Sequence, residues 1–581
     1  MLEVGSGKAD ITAFVKGVGM MGYGMFDQKV EDVETPLSCR AFVFNDTETG
    51  KKIVFANAEM CFITISVKQG VIKRLNELIP DTGFDFDNVM LTAQHTHNAA
   101  GGYSHYAFFN FSIPGFVPEV YDQIVNGIAD SIIEANNNLK PATLKFGKGY
   151  FAPEDKVAFN RSMKAYNANP DVEKLKDEDW HLALDREMSL LRVDGETGEA
   201  IGSINWFGVH TTSIGKQNKR IHYDNKGYAS ADFEKDQKDS NPDFNAIFAQ
   251  APCGDVMPNF IWEPKRDKMR GIDEDDFKSA AYNGSLQFNK AKEIFENAAA
   301  AERMANTALD YGLMNVDFSN VSAGDEFIPD GVQVSNGDAA TGPACLGVAF
   351  FKGTVDGKGI GEPAASFATL LARTNKSKEQ FKSLFSSREN CNRVKHKYKT
   401  HGKKDILIET GERKVLGNGN INALGPLGAI DPTLAVMKQH YRNGGLSDKP
   451  WTPQVLPLQF FIIGSLAIVG IPAEVSVVAG RRLKKTIEEV LKERGVHEVI
   501  LSPYANCYSG YITTYEEYQH QLYEAGHTVF GQWTHAAYST KLKYMAREML
   551  KPESERNFDE ATQPDIFSEE DLAKRSFSSV G

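Results

Sequence analysis

The sequence predicts an α/β fold, one large domain with a mixed β-sheet and flanking helices. Three observations predict it. Apolar runs of strand length alternate along the chain with stretches of helical periodicity. The segment "LAIVGIPAEVSVVAGRRLKKTIEEVLKERG" reads as strand, proline turn and helix. Histidines and a glutamate sit just beyond the apolar runs, at the carboxyl ends of strands, where open sheets hold ligands.

Taken in order, "CRAFVFND" and "KKIVFANAEM" read as a strand pair, and "ITISVKQGVIKRLNEL" has helical spacing. "NVMLTAQ" is strand-like, and "PEVYDQIVNGIADSIIEANNNL" is an amphipathic helix. "EAIGSINWFGVH" reads as a strand ending at His210. "VLPLQFFIIGSLAIVGIP" is short for a membrane helix and is broken by Gln459, Gly464 and Ser465, so it predicts two buried strands around a Gly-Ser turn. Gly495 is placed to cap the helix that follows. "HEVILSPYANCYSGY" is a further strand running into a loop. The glycine-rich "GDAATGPACLGVAFFKGTVDGKGIGEP" lacks both phosphate-cradling patterns and reads as turns. Residues 546–581 are polar and acidic and read as a surface extension to a domain spanning 1–545.

A chain of 581 residues with 41% hydrophobic and 24% charged residues is an ordinary globular composition. The net charge of -13 argues against nucleic acid as a partner and against docking of the whole surface on anionic lipid, though not against a local basic patch. The six cysteines include no C-x-x-C pair, which argues against a cysteine zinc knuckle or a thioredoxin-type site. The N-terminus "MLEVGSGKADITAF" lacks the basic and apolar regions of a signal peptide.

The chemistry gathers at strand ends. His95 and His97 in "TAQHTHNAAGGY" are two residues apart and face one side of an extended chain. His210, Glu474, Tyr508 and Tyr511 follow other strands. Imidazole and carboxylate suit zinc, and with no H-E-x-x-H motif the ligands must be scattered. From the residues alone, a zinc cage and a set of hydrogen-bonded structural histidines both stay open.

The blocks "NVMLTAQHTHNAAGGY", "NRSMKAYNANP", "INWFGVHTTS", "DNKGYAS", "FAQAPCGDVMPN", "IPAEVSVVAGRRL" and "NCYSGYITTYEEYQHQLYEAGHTVFG" occur in that order. Together they resemble the neutral ceramidase family of non-lysosomal zinc amidases, from about residue 7 to about residue 545. The resemblance implies a zinc-dependent hydrolase that cleaves ceramide into sphingosine and a fatty acid by a metal-activated water. It implies His95, His210, Glu474 and Tyr511 as Zn2+ ligands, and His97, Arg161 and Tyr523 as catalytic groups facing the substrate. It also implies a secreted or extracytoplasmic protein with transient membrane-surface contact. Asp224 reads as a turn residue beside the site, and His105, His222, His520, His527 and His535 as surface or packing residues.

Three departures matter. The family's "GDVSPN" is "GDVMPN" here, so Met257 rules out a serine nucleophile at that place and could reshape the pocket floor. The family's "HTHSGPGGY" is "HTHNAAGGY", with Asn98, Ala99 and Ala100 beside the proposed metal. The chain stops short of the family's C-terminal immunoglobulin-like domain. The aromatic run "YSHYAFFNFSIPGFVP" is expected to give one or two rings to an acyl-chain pocket. Two other readings stay open: the same chemistry on a different N-acyl lipid or small amide, and a non-catalytic lipid-binding relative. The oligomeric state is not legible.

Overall fold

In the computed structural model, which describes residues 1–113, 115–265, 267–335, 337–422 and 432–576, the chain is built on two stacked sheets. The larger has eight strands: β1 (Leu2–Asp10), β2 (Ser38–Asp46), β3 (Lys52–Ala58), β4 (Val89–Ala93), β5 (Lys140–Tyr150), β6 (Glu187–Gly195), β7 (Ala200–Phe207) and β8 (Asn245–Gln250). Their spatial order is β8-β7-β6-β5-β1-β2-β3-β4. The two end pairs are parallel and the pairs between them antiparallel, so the sheet is mixed as predicted. The smaller sheet runs β9 (Leu309–Asp317), β10 (Val455–Ile463), β11 (Leu466–Gly470) and β12 (Glu498–Ser502), with β11 and β12 parallel.

Alternation along the strands explains the stacking. On β2, Phe42 and Phe44 face one apolar layer while Cys39, Ala41 and Val43 face another. On β11, Leu466 and Ile468 share the first layer with Phe42, Ile53 and Trp206. That layer is the interface between the sheets, and both faces of each central strand are buried, so the strands read as continuous apolar runs.

Helices cover the outside: α1 (Ile65–Leu78), α2 (Pro118–Asn137), α3 (Asp224–Gln237) and α4 (Asp276–Ala299) on the side of the large sheet. A hairpin of α5 (Glu362–Ser383) and α6 (Arg388–His401) follows, then α7 (Val477–Leu491) against β12 and α8 (Thr534–Glu548) against α7. Thr64 caps α1 by accepting from the Val67 amide, and Gly495, in the left-handed region at φ 80°, ends the helical run after α7 as expected. The predicted Gly464–Ser465 turn joins β10 to β11.

One boundary differs from the sequence expectation. β7 ends at Phe207, not His210. A Cβ on Gly208 would lie 2.5 Å from the Pro252 carbonyl oxygen, so the chain there is pressed against another loop and leaves the ladder. The tail turns back onto the aromatic run: Phe567 is buried against His105 and Tyr106, and Tyr106 donates to Asp565. Residues 577–581 of the predicted extension lie outside the described residues.

Candidate metal centre and catalytic site

β4, β7, β11 and β12 all end at one edge of the stacked sheets, and each hands a chemical group to the same place. His95 follows β4 and adopts φ 80°, a conformation that costs a non-glycine residue on the order of 1–3 kcal/mol. That turn sends its amide to the Met60 carbonyl and its Nδ1 to the Cys61 carbonyl at 2.7 Å. His210 follows β7, and its Nδ1 meets the carbonyls of Cys253 and Val256 at 2.9 and 2.8 Å. With each Nδ1 turned to a backbone carbonyl, each Nε2 faces the site. The Cys253 carbonyl and the Glu474 carboxylate hold the His210 imidazole up to about 9 against its burial, so a cation bound there takes the place of its Nε2 proton.

Both Nε2 atoms face Glu474. The carboxylate follows β11 in a short strand, Glu474–Val475, that pairs parallel with Tyr511–Ile512 after β12. His210 Nε2 is 3.2 Å from one carboxylate oxygen and His95 Nε2 is 3.6 Å from the other. His95, His210 and Glu474 bring one donor atom each to within 4.8 Å of one another, and all three side chains are buried. Against its own burial, the two imidazoles hold the Glu474 carboxyl well below the usual range. The Tyr508 hydroxyl donates to it at 2.5 Å and the Tyr504 hydroxyl at 3.2 Å.

His97 sits beside this trio, its Nε2 3.1 Å from that of His95. Burial first, then the neighbouring imidazoles, hold it well below its usual pKa, so it is neutral. Its Nδ1 has no hydrogen-bond partner among the described residues. The ring is held edge-on against Tyr23, and at Gly22, φ 127°, a Cβ would lie 2.4 Å from it. Only glycine lets that loop approach so closely.

Tyr511 accepts a hydrogen bond from Arg161 Nη2 at 3.1 Å. Arg161 also donates to the Gly254 carbonyl at 2.8 Å and, through Nε, to Glu524 at 2.9 Å. Tyr523 lies under the guanidinium at 5.6 Å, and its ring is 5.6 Å from that of Tyr511. Burial raises the Tyr523 phenol, which therefore keeps its proton as a donor. His95, His97, Arg161, His210, Glu474, Tyr511 and Tyr523 thus lie together in the structure.

A second trio, Cys61, His95 and His97, also gathers. Burial pushes the Cys61 thiol well up, and His95 Nδ1 is already committed to the Cys61 carbonyl, so the first trio is the better cation site. Two imidazoles, a carboxylate and an adjacent phenol fit zinc by donor type, and the backbone-anchored Nδ1 atoms supply the usual support for such ligands.

The departures take on specific meanings. Met257 is fully buried among Phe159 and Met269, with Trp180 and Phe260 packed around them. What its block offers the site is backbone and carboxylate: Gly254 and Val256 carbonyls hold Arg161 and His210, and Asp255 accepts from Asn160 and the Val477 amide. Asn98 donates to Asp224 at 3.4 Å and accepts from Asn218 at 2.9 Å, while Ala99–Ala100 pairs with Met20–Met21. Asp224 accepts from the Ser213 and Ile214 amides and so shapes the turn after His210. Of the aromatic run, Phe109 packs on Tyr508 and Phe108 on His527, while Phe111 joins Trp451 and Phe116 joins His105. His527, read as a surface or packing residue, is buried with its ring 5.6 Å from Tyr511. Tyr504 and Glu524 were not singled out. Their only signals were an aromatic repeat in "PYANCYSGY" and a carboxylate next to Tyr523.

Comparisons with known proteins identify the family. The family described as "Neutral/alkaline non-lysosomal ceramidase, N-terminal" matches residues 2–418 and 439–540. The neutral ceramidase of Pseudomonas aeruginosa is 33% identical over 567 residues, which cover 95% of this chain and 73% of that protein. Neutral ceramidase A of Dictyostelium discoideum is 31% identical, covering 94% and 72%. A solved structure described as "Ceramidase complexed with C2" superposes with a TM-score of 0.76 at 33% identity, over 94% of this chain and 75% of that one. With a family model matched along most of its length and relatives a third identical across nearly all of it, this chain belongs to the neutral/alkaline non-lysosomal ceramidase family.

Proposed function

We propose that this protein is a zinc-dependent ceramidase that hydrolyses the N-acyl amide bond of ceramide to sphingosine and a free fatty acid. The observation that carries the reading is the pair of imidazoles, His95 and His210, each tied through Nδ1 to a backbone carbonyl and turned through Nε2 onto one Glu474 carboxylate. His95, His210, Glu474 and Tyr511 are the zinc ligands of this reading. Bound there, zinc would polarise the amide carbonyl and lower the pKa of a water.

The remaining steps fall to the chain's own groups. His97, neutral and with an unpartnered nitrogen, is suited to take a proton from the attacking water and pass it to the leaving amine nitrogen as the C–N bond breaks. Arg161, a guanidinium paired with Glu524, and the protonated Tyr523 phenol are suited to stabilise the negative charge that develops on the carbonyl oxygen. Burial around the site strengthens these contacts by excluding water. Residues 1–545 are the catalytic domain and 546–581 an extension, and the protein acts outside the cytoplasm on a lipid amide. Asn98, Ala99 and Ala100 beside the histidines keep a different N-acyl amide as the second reading of the substrate.

Elemental analysis of purified wild-type, His95→Ala and His210→Ala proteins, paired with mass spectrometry of products from a panel of N-acyl amides, tests this. The expected result is stoichiometric zinc and ceramide turnover in the wild type. Both should be lost in the variants, with turnover down by at least about 100-fold. Full activity in either variant would sink the assignment.

A further inference from the structure

The α5–α6 hairpin carries an apolar face that nothing among the described residues covers. Phe367, Leu370 and Phe381 on α5, and Leu384 and Phe385 just beyond it, are 54%, 62%, 65%, 65% and 78% exposed. At the helical pitch these side chains fall within an arc of about 100°. The helix does not owe them to a misplaced core. Its opposite face, with Ala365 and Ala372, is buried against Val348 and Ile360. Scattered exposed apolar residues are ordinary, but a contiguous stripe of phenylalanine and leucine marks an interaction surface.

The charge around the stripe says what it meets. Residues 362–404 carry eleven Lys and Arg against three Asp and Glu, in a chain of net charge -13. Lys378, Lys382, Arg388, Lys395 and Lys403 are exposed and have no carboxylate partner among the described residues. A second copy docking on this face would bring like charges together, which opposes association. An anionic surface would be attracted. The hairpin is also joined to the catalytic site. The short helix Val348–Phe351, which packs on α5, places the Phe350 ring 5.2 Å from that of Tyr523 and 4.3 Å from that of His527.

We propose that the exposed face of α5 is a membrane-docking surface: its phenylalanines and leucines enter the acyl boundary of an anionic bilayer, and its lysines pair with the lipid phosphates. This rests on the reading that the substrate is a lipid amide, since the docked hairpin then brings the Phe350–Tyr523 side of the site to the bilayer that holds it. The arrangement is that of an interfacial amphipathic helix, with apolar burial and phosphate attraction adding.

The test is flotation of the full-length protein with vesicles of phosphatidylcholine alone and of phosphatidylcholine mixed with phosphatidylglycerol. The variants are Phe367→Ser/Phe381→Ser/Phe385→Ser and Lys378→Glu/Lys382→Glu, all at exposed positions. The wild type is expected to bind the mixed vesicles more tightly than the neutral ones, and less tightly as salt rises. Each variant is expected to lose about tenfold or more of that binding. Turnover of vesicle-embedded ceramide falls with it, while turnover of a short-chain ceramide dispersed as monomers is unchanged. Equal binding by wild type and both variants overturns the proposal. So does light scattering that finds a wild-type dimer which the serine variant converts to a monomer, with no lipid binding by either. Should the short-chain substrate not be cleaved, the amidase reading fails while flotation still decides the docking surface.

Discussion

Arg161 is the side chain that links the groups proposed as catalytic. It reaches Tyr511, the Gly254 carbonyl and Glu524 at once and stacks over Tyr523, so its position fixes two phenols relative to the histidine cluster. Glu524 in turn is held by the Ser162 hydroxyl at 2.8 Å. Glu524→Gln replaces a charge-assisted hydrogen bond with a neutral one, and kcat/KM is expected to fall by about 10- to 100-fold with the circular dichroism spectrum unchanged. An unchanged kcat/KM would remove Arg161 from the catalytic group. The residues legible in the sequence were those whose types are rare and chemically marked: paired histidines, a glutamate after a strand, tyrosines after another. Tyr504 and Glu524 act by orienting those residues, and the hydrogen bonds that give them this role join strand ends far apart in sequence. No local spacing encodes such a bond.

At the level of elements, the site is made by loops that are themselves tightly specified. The loop carrying Gly22 presses on His97 so closely that Gly22→Ala must displace the ring. Zinc content is expected to stay near the wild-type value while kcat falls about 100-fold, because a shift of about 1 Å in a catalytic group costs that much. Loss of zinc in this variant would make His97 a ligand. Behind Arg161, the short helix Tyr515–Tyr518 begins with a capping box in which Glu517 accepts from the Thr514 amide. Burial, and then the nearby Asp255 carboxylate, push the Glu517 carboxyl up to about 8. The folded protein therefore holds that proton more tightly than the unfolded chain. The stability this gives is complete below about pH 4.5 and is lost as the pH rises to about 8. Glu517→Gln should flatten the fall of Tm across that window, as read by thermal denaturation, and a slope equal to the wild type would contradict it. The sequence predicted most of these elements because their periodicities are strong, as in α2 and the β10–β11 hairpin. It misplaced the end of β7 because "WFGVH" continues an apolar pattern past the point where contact with the Pro252 loop stops the ladder.

For the whole molecule, the alternation of strands and helices was enough to predict an α/β class with a mixed sheet, and the candidate ligands read from the sequence do follow strand ends. That there are two sheets stacked face to face was not legible. Strands buried on both faces lose the alternation of polar and apolar residues that would assign each to a sheet. The stacking has a functional consequence. β4 and β7 belong to the larger sheet and β11 and β12 to the smaller, so a metal held by the proposed ligands His95, His210, Glu474 and Tyr511 would tie the two sheets together at one edge. A cation bound there stabilises the folded state by its binding free energy, and chelation is expected to lower Tm by several degrees, with recovery on adding zinc. An unchanged Tm would mean that the cage does not bridge the sheets through a metal. The central claim, a divided zinc cage that cleaves ceramide, is tested most directly by mass spectrometry of the products from ceramide incubated with the protein as purified, after chelation, and after zinc is restored. The account predicts sphingosine and fatty acid in the first, none in the second and their return in the third, whereas undiminished release by the chelated protein would contradict it.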